Sequence, residues 1–333
     1  KTPINGKNLT FIRWSKMIFL IIFLATIGIM MQTSFAGFPD KTIRLIVPWK
    51  AGGGTDTIAR GFVGAFADAA GVDVVISNVV GGAGSKGVIQ VQQSKNDGYT
   101  LLLNGTDTII GLNTFKKMPF TADSFEYVGG MYTTPTYVLA NKKRGYTSLS
   151  DAIEKSKKRP GELIAGVAAK YNAHDVMAHA INGYAGAKFR IVAFGGGANL
   201  KKAVLGNEID ICIIHAPVAL AAVKEGILDV IGTGGSLQNI TYGPAKNMKT
   251  LNDLNIPAEI GVTRGLYAPK GTPKAGMEKL SQIMEKAAKS EKFNKFGNNF
   301  GFSPVWLTGK EFRALHDDGM GQYADIKAKF MSK

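Results

Sequence analysis

The sequence predicts an α/β protein of two lobes, each containing a mostly parallel β-sheet. Short runs of β-branched residues alternate with amphipathic helical runs along residues 43–103 and again along residues 164–214. Such βαβ segments join parallel strands through right-handed helical crossovers. The glycine clusters between these runs are typical of turns from strand to helix.

Residues 1–36 have the features of a secretory signal peptide and are set aside from the fold. Basic residues within 1–16 precede an apolar run at 17–31, which is short for a membrane-spanning helix. Small residues at Ser34 and Ala36 suit a signal peptidase, so we expect cleavage after Ala36 and a periplasmic mature protein. An uncleaved membrane anchor is the alternative, although no basic stop-transfer segment follows the run.

The rest of the chain is basic, with 36 basic and 25 acidic side chains and a net charge of +11. The basic residues are spread along helical runs such as 154–159 and 285–289, where a solvated surface is expected. No zinc-finger spacing or RNA-recognition motif accompanies them, so we expect no nucleic-acid partner. The positive field favours acidic ligands instead. The single cysteine, Cys212, lies in the apolar run 211–214 and is expected to be a packing residue.

The first lobe is predicted from three strand-like runs separated by two helical runs. The first helix follows Thr55, has apolar residues at every fourth position and ends at Gly71. The strands are expected at 43–47, 72–76 and 99–103.

The second lobe repeats this alternation after an apolar strand at 137–140. Its strands are expected at 164–167, 189–193 and 209–214, with helices at 175–184 and 199–205. A strand at 265–269 then runs back, and the helices from Pro273 onward are expected to rejoin the first lobe. The predicted division is residues 37–140 plus 263–333 for lobe I and residues 141–262 for lobe II. Two chain crossings between the lobes would form a hinge, and no internal sequence repeat is evident.

Three glycine clusters fall at strand-to-helix junctions, at 51–56, 81–85 and 195–199. In open α/β sheets such junctions present free backbone amides and the positive end of a helix dipole to a ligand. Glycine also lets a ligand approach the backbone closely. A tight turn without a ligand would explain any single cluster, but three in equivalent positions indicate a site for a small anion.

No enzyme motif fits the sequence. The dinucleotide fingerprint fails because no third glycine follows the first cluster until Gly61, and the phosphate-binding loop fails at Lys86. The nucleophile elbow would need glycine where Ala83 stands. His174 and His179 are five residues apart and would point to different sides of a helix. We therefore expect no catalytic residues, no metal site and no cofactor.

Several motifs, in order along the chain, carry a family resemblance. They include Phe-Pro-Asp-Lys-Thr-Ile at 38–43, Ala-Gly-Gly-Gly-Thr-Asp at 51–56, Asp-Gly-Tyr-Thr-Leu-Leu at 97–102 and Gly-Leu-Tyr-Ala-Pro-Lys-Gly-Thr-Pro at 265–273. Together with the glycines at 81–84 and 196–197, these motifs resemble the Bug family, the solute-binding receptors of tripartite tricarboxylate transporters. The resemblance spans nearly all of the chain after residue 36.

The resemblance implies a type II periplasmic binding-protein fold whose two lobes close on a ligand. Family members hold carboxylates largely through backbone and water contacts from the first glycine loop and from its counterpart in the second lobe. The segment 168–174 departs from relatives, many of which are rich in Ser and Gly there. The expected ligand-binding residues are Gly53, Gly54, Thr55, Asp56, Ser85, Ala169, Asn172, Gly196, Gly197 and Ala198. Because an ionised carboxylate only accepts hydrogen bonds, Asp56 is expected to orient loop amides, water or a ligand amine, or simply to favour the helix terminus.

The chain departs from the family pattern at a few positions that bear on specificity. Val80 and Gly195 stand where relatives often have Pro and Lys. Lys86, Lys170 and Tyr171 could add charge or a ring to the pocket, and surface exposure is the other interpretation of the two lysines.

The resemblance implies an exported, monomeric solute-binding protein that delivers a small carboxylate to a membrane permease. Its ligand would be a di- or tricarboxylate, an acidic amino acid or an aromatic acid, and lobe closure would replace any bond chemistry. A ligand-sensing protein for a signalling receptor, or a periplasmic α/β enzyme, remain the alternatives.

Overall fold

The computed structural model describes residues 37–235, 248–258 and 260–331. The predicted signal peptide and its cleavage site lie outside these residues. Within the described part of the chain, no helix is both long and apolar enough to cross a membrane.

Eleven strands and ten α-helices build the described part of the chain. The strands are β1 (Ile43–Val47), β2 (Val74–Asn78), β3 (Thr100–Gly105), β4 (Phe125–Thr134), β5 (Thr136–Asn141), β6 (Ile164–Val167), β7 (Arg190–Ala193), β8 (Ile211–His215), β9 (Leu228–Gly234), β10 (Val262–Pro269) and β11 (Leu307–Thr308). The helices are α1 (Gly54–Ala70), α2 (Ser85–Gln92), α3 (Thr106–Phe115), α4 (Leu149–Lys158), α5 (Ala173–Tyr184), α6 (Gly197–Leu205), α7 (Ala216–Lys224), α8 (Lys274–Ala288), α9 (Glu291–Asn299) and α10 (Gly309–Ile326).

Two separate sheets confirm the predicted two-lobe α/β fold. The first has the order β11-β4-β10-β3-β1-β2 and the second the order β7-β6-β8-β5-β9. The predicted elements are present with bounds shifted by a few residues, and Gly71 ends α1 in a left-handed conformation with φ 71°.

The prediction of mostly parallel sheets is wrong in detail, because both sheets are mixed. Pairing is parallel where helices connect the strands, as in β1 with β2 and β3 and in β6 with β7 and β8. The strands on either side of the lobe crossings, β4, β5, β9 and β10, pair antiparallel to their neighbours. These strands carry the chain from one sheet to the other. Parallel neighbours need a helical crossover within one sheet, and these strands do not have one.

The first lobe crossing lies earlier in the chain than the predicted division. Residues 137–140, which that division gives to lobe I, are part of β5, and β5 pairs with β8 and β9 of the second sheet. The chain therefore crosses at Pro135, between β4 and β5. The apolar pattern of β5 showed that it was a buried strand but not which sheet it joined.

The C-terminal helix α10 makes a third connection between the lobes. It packs on β4 and α3 of lobe I, and its last turns reach α5 of lobe II. Just after the end of α10, the ring of Phe330 packs edge-on against Tyr184 of α5, with ring centroids 4.6 Å apart. The side chains of Tyr323 and Ile326 belong to the same apolar core cluster as those of lobe II. The lobes are therefore joined by α10 as well as by the two chain crossings that form the predicted hinge.

Candidate functional site

A cleft with about 450 Å³ of space free of protein atoms, part of it open to solvent, lies between the lobes, where strands of both sheets end and helices begin. The lining residues are Trp49, Lys50, Gly53, Gly54, Thr55, Asp107, Ala168, Asn172, His174, Gly197, Ile214, His215, Val218 and Arg264.

Five helices begin at this cavity: α1 and α3 from lobe I, and α5, α6 and α7 from lobe II. Four of them have no side-chain cap, their N-cap residues being Gly53, Gly105, Gly196 and His215. The first amides of an α-helix have no partner within the helix, and its N-terminus carries a partial positive charge. The converging termini therefore favour an anion.

The two glycine loops approach each other across the cleft. A Cβ placed on Gly197 would stand 3.7 Å from the amide nitrogen of Gly54, and one on Gly54 would stand 2.9 Å from Cγ2 of Val218 in lobe II. A second close approach brings Gly111 of α3 against the backbone oxygen of Tyr171. The structure is therefore a closed form in which the cavity is covered from both sides.

Lobe I supplies all the charged side chains of the described lining. Arg264, in the middle of β10, is only 2% exposed, and its Nε donates to Thr55 Oγ1 at 3.3 Å. Burial lowers the pKa of Arg264, yet a guanidinium remains charged at neutral pH. Lys50 lies at the exposed rim.

Asp107, at the start of α3, is the acidic member of the described lining. Its Oδ2 accepts a hydrogen bond from the amide of Ala173 at 3.4 Å, which ties lobe I to the N-terminus of α5 in lobe II. Burial raises the pKa of Asp107, although the charge of Arg264 acts in the opposite direction.

Lobe II contributes polar side chains that are neutral. The rings of His174 and His215 lie with centroids 4.1 Å apart. Burial lowers the pKa of His174 to about 3 and that of His215 well below its ordinary value. Nδ1 of His174 lies 3.3 Å from Nδ2 of Asn172, so the neutral ring carries its proton on Nε2.

Five of the sequence-predicted site residues line the cavity: Gly53, Gly54, Thr55, Asn172 and Gly197. Asp56 does not line it. Its carboxylate accepts hydrogen bonds within lobe I from the Gly52 amide at 2.9 Å, from Arg60 Nε at 2.8 Å and from Asn78 Nδ2 at 2.9 Å. Burial raises the pKa of Asp56, but these hydrogen bonds outweigh it and hold that pKa below its ordinary value. Asp56 therefore orients the loop.

The other four predicted residues are not part of the described lining, and three of them are chain neighbours of lining residues. Ser85 begins α2, Ala169 follows the lining residue Ala168, and Gly196 and Ala198 flank Gly197.

The basic and aromatic candidates lie away from the cavity. Lys86 and Lys170 are both exposed. Tyr171 stacks on Phe115 across the lobes, with centroids 5.2 Å apart, so its ring contributes to the lobe contact.

Sequence reasoning missed most of the side chains that give the cavity its polarity. The expectation of no internal sequence repeat is wrong for one pentapeptide, because Gly-Thr-Asp-Thr-Ile occurs at 54–58 and again at 105–109. The second copy was a sequence signal for Asp107. His215 had a weaker one, as the last residue of a strand. Arg264 had none, since it lies inside β10 and reaches the cavity only through the pairing of β10 with β3.

The fold and the closed interlobe cavity define a two-lobed solute-binding protein. A family model described as the tripartite tricarboxylate transporter family receptor, TctC, matches residues 58–329. The chain therefore belongs to this receptor family, and the resemblance to Bug proteins is confirmed.

Individual relatives agree with this assignment. Protein BugT of Bordetella pertussis is 26% identical over 309 residues, which cover 92% of this chain and 94% of BugT. A solved structure described as a periplasmic transporter is 26% identical, with a TM-score of 0.81 over 88% of this chain and 98% of that one. MatC from Rhodopseudomonas palustris, solved with bound malate, has 22% identity and a TM-score of 0.77 over 87% of this chain and 99% of that one.

Proposed function

We propose that this protein captures a small carboxylate in the periplasm and delivers it to the permease of a tripartite transporter. The observation that carries the proposal is the convergence of four uncapped helix N-termini and the buried Arg264 on one closed cavity. A carboxylate in this position would receive backbone hydrogen bonds from both lobes. The family description and the malate bound to MatC support the same ligand class.

Lobe closure is the proposed mechanism. Backbone donors gain strength where water is excluded, so ligand binding and closure stabilise each other. The closed form would then present a surface that a permease can distinguish from the open form.

The proposal includes no bond chemistry. Among the described lining residues there is no serine or cysteine, and Thr55 Oγ1 accepts a hydrogen bond from Arg264 rather than facing a base. Incubating the protein with any bound carboxylate and analysing the mixture by mass spectrometry tests this point, and a new product would support the enzyme alternative.

Thermal-shift screening against mono-, di- and tricarboxylates, amino acids and aromatic acids tests the ligand class. A ligand that binds only the folded state raises the melting temperature by mass action. We expect a shift with at least one carboxylate and loss of that shift in Gly197→Leu, whose side chain would enter the cleft. The matched control is Gly321→Leu, on an open face of α10 with nothing within 4 Å. No shift with any carboxylate would overturn the proposal.

A partner experiment separates transport from sensing. Delivery predicts ligand-dependent binding to the membrane subunits of a tripartite transporter reconstituted in vesicles. Binding to a receptor ectodomain, with none to those subunits, would favour the sensing alternative.

A further inference from the structure

Arg264 is a buried cation without a matched anion among the described residues. Its guanidinium makes one hydrogen bond to the described part of the chain, the weak one from Nε to Thr55 Oγ1, and NH1 has no described partner. No carboxylate of the described residues lies within 4.0 Å of its nitrogens. A buried guanidinium left in this condition carries a large desolvation cost, which an anion in the cavity would offset.

Asp107 is the one acidic side chain of the described lining, and it is already engaged. One of its oxygens accepts from the Ala173 amide of lobe II, and the other faces Gly105 so closely that a Cβ there would stand 2.5 Å away. Asp107 affects Arg264 through its charge but forms no ion pair with it. Because Arg264 NH1 is fully buried and Nε is bonded to Thr55, NH2 is the guanidinium nitrogen that remains for a molecule in the cavity.

We infer that Arg264 is the counter-ion for one carboxylate of the ligand, and that the site selects carboxylates without a neighbouring ammonium group. This inference rests on the proposed function and deepens it by naming the ligand subclass. NH2 of Arg264 lies 3.6 Å from the position of a Cβ on Gly54, so a carboxylate there would also meet the first amides of α1.

The exclusion of ammonium follows from the charges around the cavity. An ammonium group needs acceptors, and the one acidic side chain of the described lining already accepts from the backbone amides of Ala173, Thr108 and Asp107 itself. The helix N-termini repel a cation, and the two histidines are neutral and offer at most a single acceptor each. We therefore expect amino acids to bind more weakly than hydroxy, oxo and unsubstituted acids of the same size.

The test measures affinity by isothermal titration calorimetry for malate and aspartate, lactate and alanine, and succinate and its neutral diamide. The purified protein is compared with Arg264→Met, with Arg264→Lys and with Lys170→Met, a matched exposed control outside the lining. We expect the acid of the best pair to bind the unchanged protein at least tenfold more tightly than its amino or amide counterpart. Arg264→Met should lose about 30-fold or more in affinity for the acid.

A purely structural role for Arg264 would lower acid and diamide binding by the same factor. The proposed role instead removes the discrimination between them, so their affinity ratio falls toward one. Arg264→Lys keeps the charge but not the fork of donors, and we expect an intermediate loss for the acid only. This variant decides the question if Arg264→Met does not fold.

Failure of the inference is distinguishable from failure of the proposed function. If carboxylates bind the unchanged protein but Arg264→Met binds them equally well, or aspartate matches malate, the inference is wrong and the receptor function stands. If the unchanged protein binds no carboxylate at all, both are wrong.

Discussion

The pentapeptide Gly-Thr-Asp-Thr-Ile occurs at two places in lobe I with different consequences. At 54–58 it begins α1, and at 105–109 it spans the end of β3 and the start of α3. In both copies the aspartate lies in the first turn of a helix and is buried. Asp56 is held inside the loop of its own lobe, whereas Asp107 lines the cavity and bonds to the other lobe.

The residue four positions after each aspartate accounts for much of this difference. Arg60 follows Asp56 on the same helix face and pairs with it at 2.8 Å. Gly111 follows Asp107, and its missing side chain leaves room for the backbone of Tyr171. One copy therefore has a local partner, and the other gives up that partner for contact between the lobes. The same pentapeptide thus holds a loop of lobe I in place at 54–58 and joins the two lobes at 105–109.

Gly111→Ala is expected to have the largest effect, because it removes the contact between the lobes that the second copy makes possible. The added methyl group would overlap the backbone oxygen of Tyr171, which cannot rotate away as a side chain can. Overpacking of this kind costs about 2 kcal/mol, so we expect ligand affinity to fall about 30-fold while each lobe stays folded. Calorimetry gives the affinity, and small-angle X-ray scattering should show a larger radius of gyration with ligand present.

Gly321→Ala is the control for that experiment, since nothing lies within 4 Å of its new methyl group. Unchanged affinity in Gly111→Ala would mean that the Tyr171 segment moves independently of closure.

The two aspartates should respond to pH with opposite sign. The folded pKa of Asp56 lies below its unfolded value of about 3.9, so its stabilisation is present above that pH and is lost as pH falls through the folded pKa. Asp56→Asn should cost about 2 kcal/mol of unfolding free energy at pH 7, and the cost should shrink in acid.

Asp107 has a raised folded pKa, so its contribution to stability falls as pH rises from about 3.9 through that folded pKa. Asp107→Asn should therefore gain stability relative to the unchanged protein across the same rise. Urea unfolding between pH 3 and 8 measures both differences. If the stability differences of Asp56→Asn and Asp107→Asn changed with pH in the same direction, the contrast between the two copies would be wrong.

Replacing the first glycine of each copy with alanine should cost about 1 kcal/mol, but in different quantities: the free energy of ligand binding for Gly54 and the free energy of unfolding for Gly105. A Cβ on Gly54 meets Val218 of lobe II at 2.9 Å, so Gly54→Ala should weaken ligand binding about fivefold with little change in unfolding free energy. A Cβ on Gly105 meets Asp107 and Val262 at 2.5 and 2.7 Å, so Gly105→Ala should destabilise the protein itself. Equal losses of stability in both variants would remove the distinction.

The smallest expected effect concerns the neutral side of the cavity. Because burial keeps His174 and His215 uncharged, ligand affinity should change less than about threefold between pH 5.5 and 8. Calorimetry at four pH values in one ionic strength checks this. A tenfold gain on acidification that persists in Asp107→Asn would show that an imidazolium contacts the ligand.

Most of the fold could be predicted because its signals are local. The strand at 164–167 and the end of α1 at Gly71 follow directly from apolar periodicity and from glycine at a helix end. The sheet that β5 joins and the path of α10 between the lobes could not be predicted in this way. Both depend on which surfaces meet in space, and residues far apart in sequence decide that.

The residues of the site also fall into those that local sequence predicts and those that it does not. The glycine loops were predictable because a strand-to-helix turn with free amides is encoded in a few consecutive residues. The polar side chains were not, since Arg264 comes from mid-strand and His215 from a position that looks like buried β-sheet.

The sequence by itself determined the α/β alternation, the glycine loops and the family, because each depends on short segments read in order. Only the tertiary structure decided that Asp56 closes its own loop while Asp107 bridges the lobes, and that a buried arginine faces the cavity. The pentapeptide around both aspartates is the same, so their roles differ through their surroundings: Asp56 has Arg60 four positions on, whereas Asp107 meets Ala173 of the second lobe, 66 positions away.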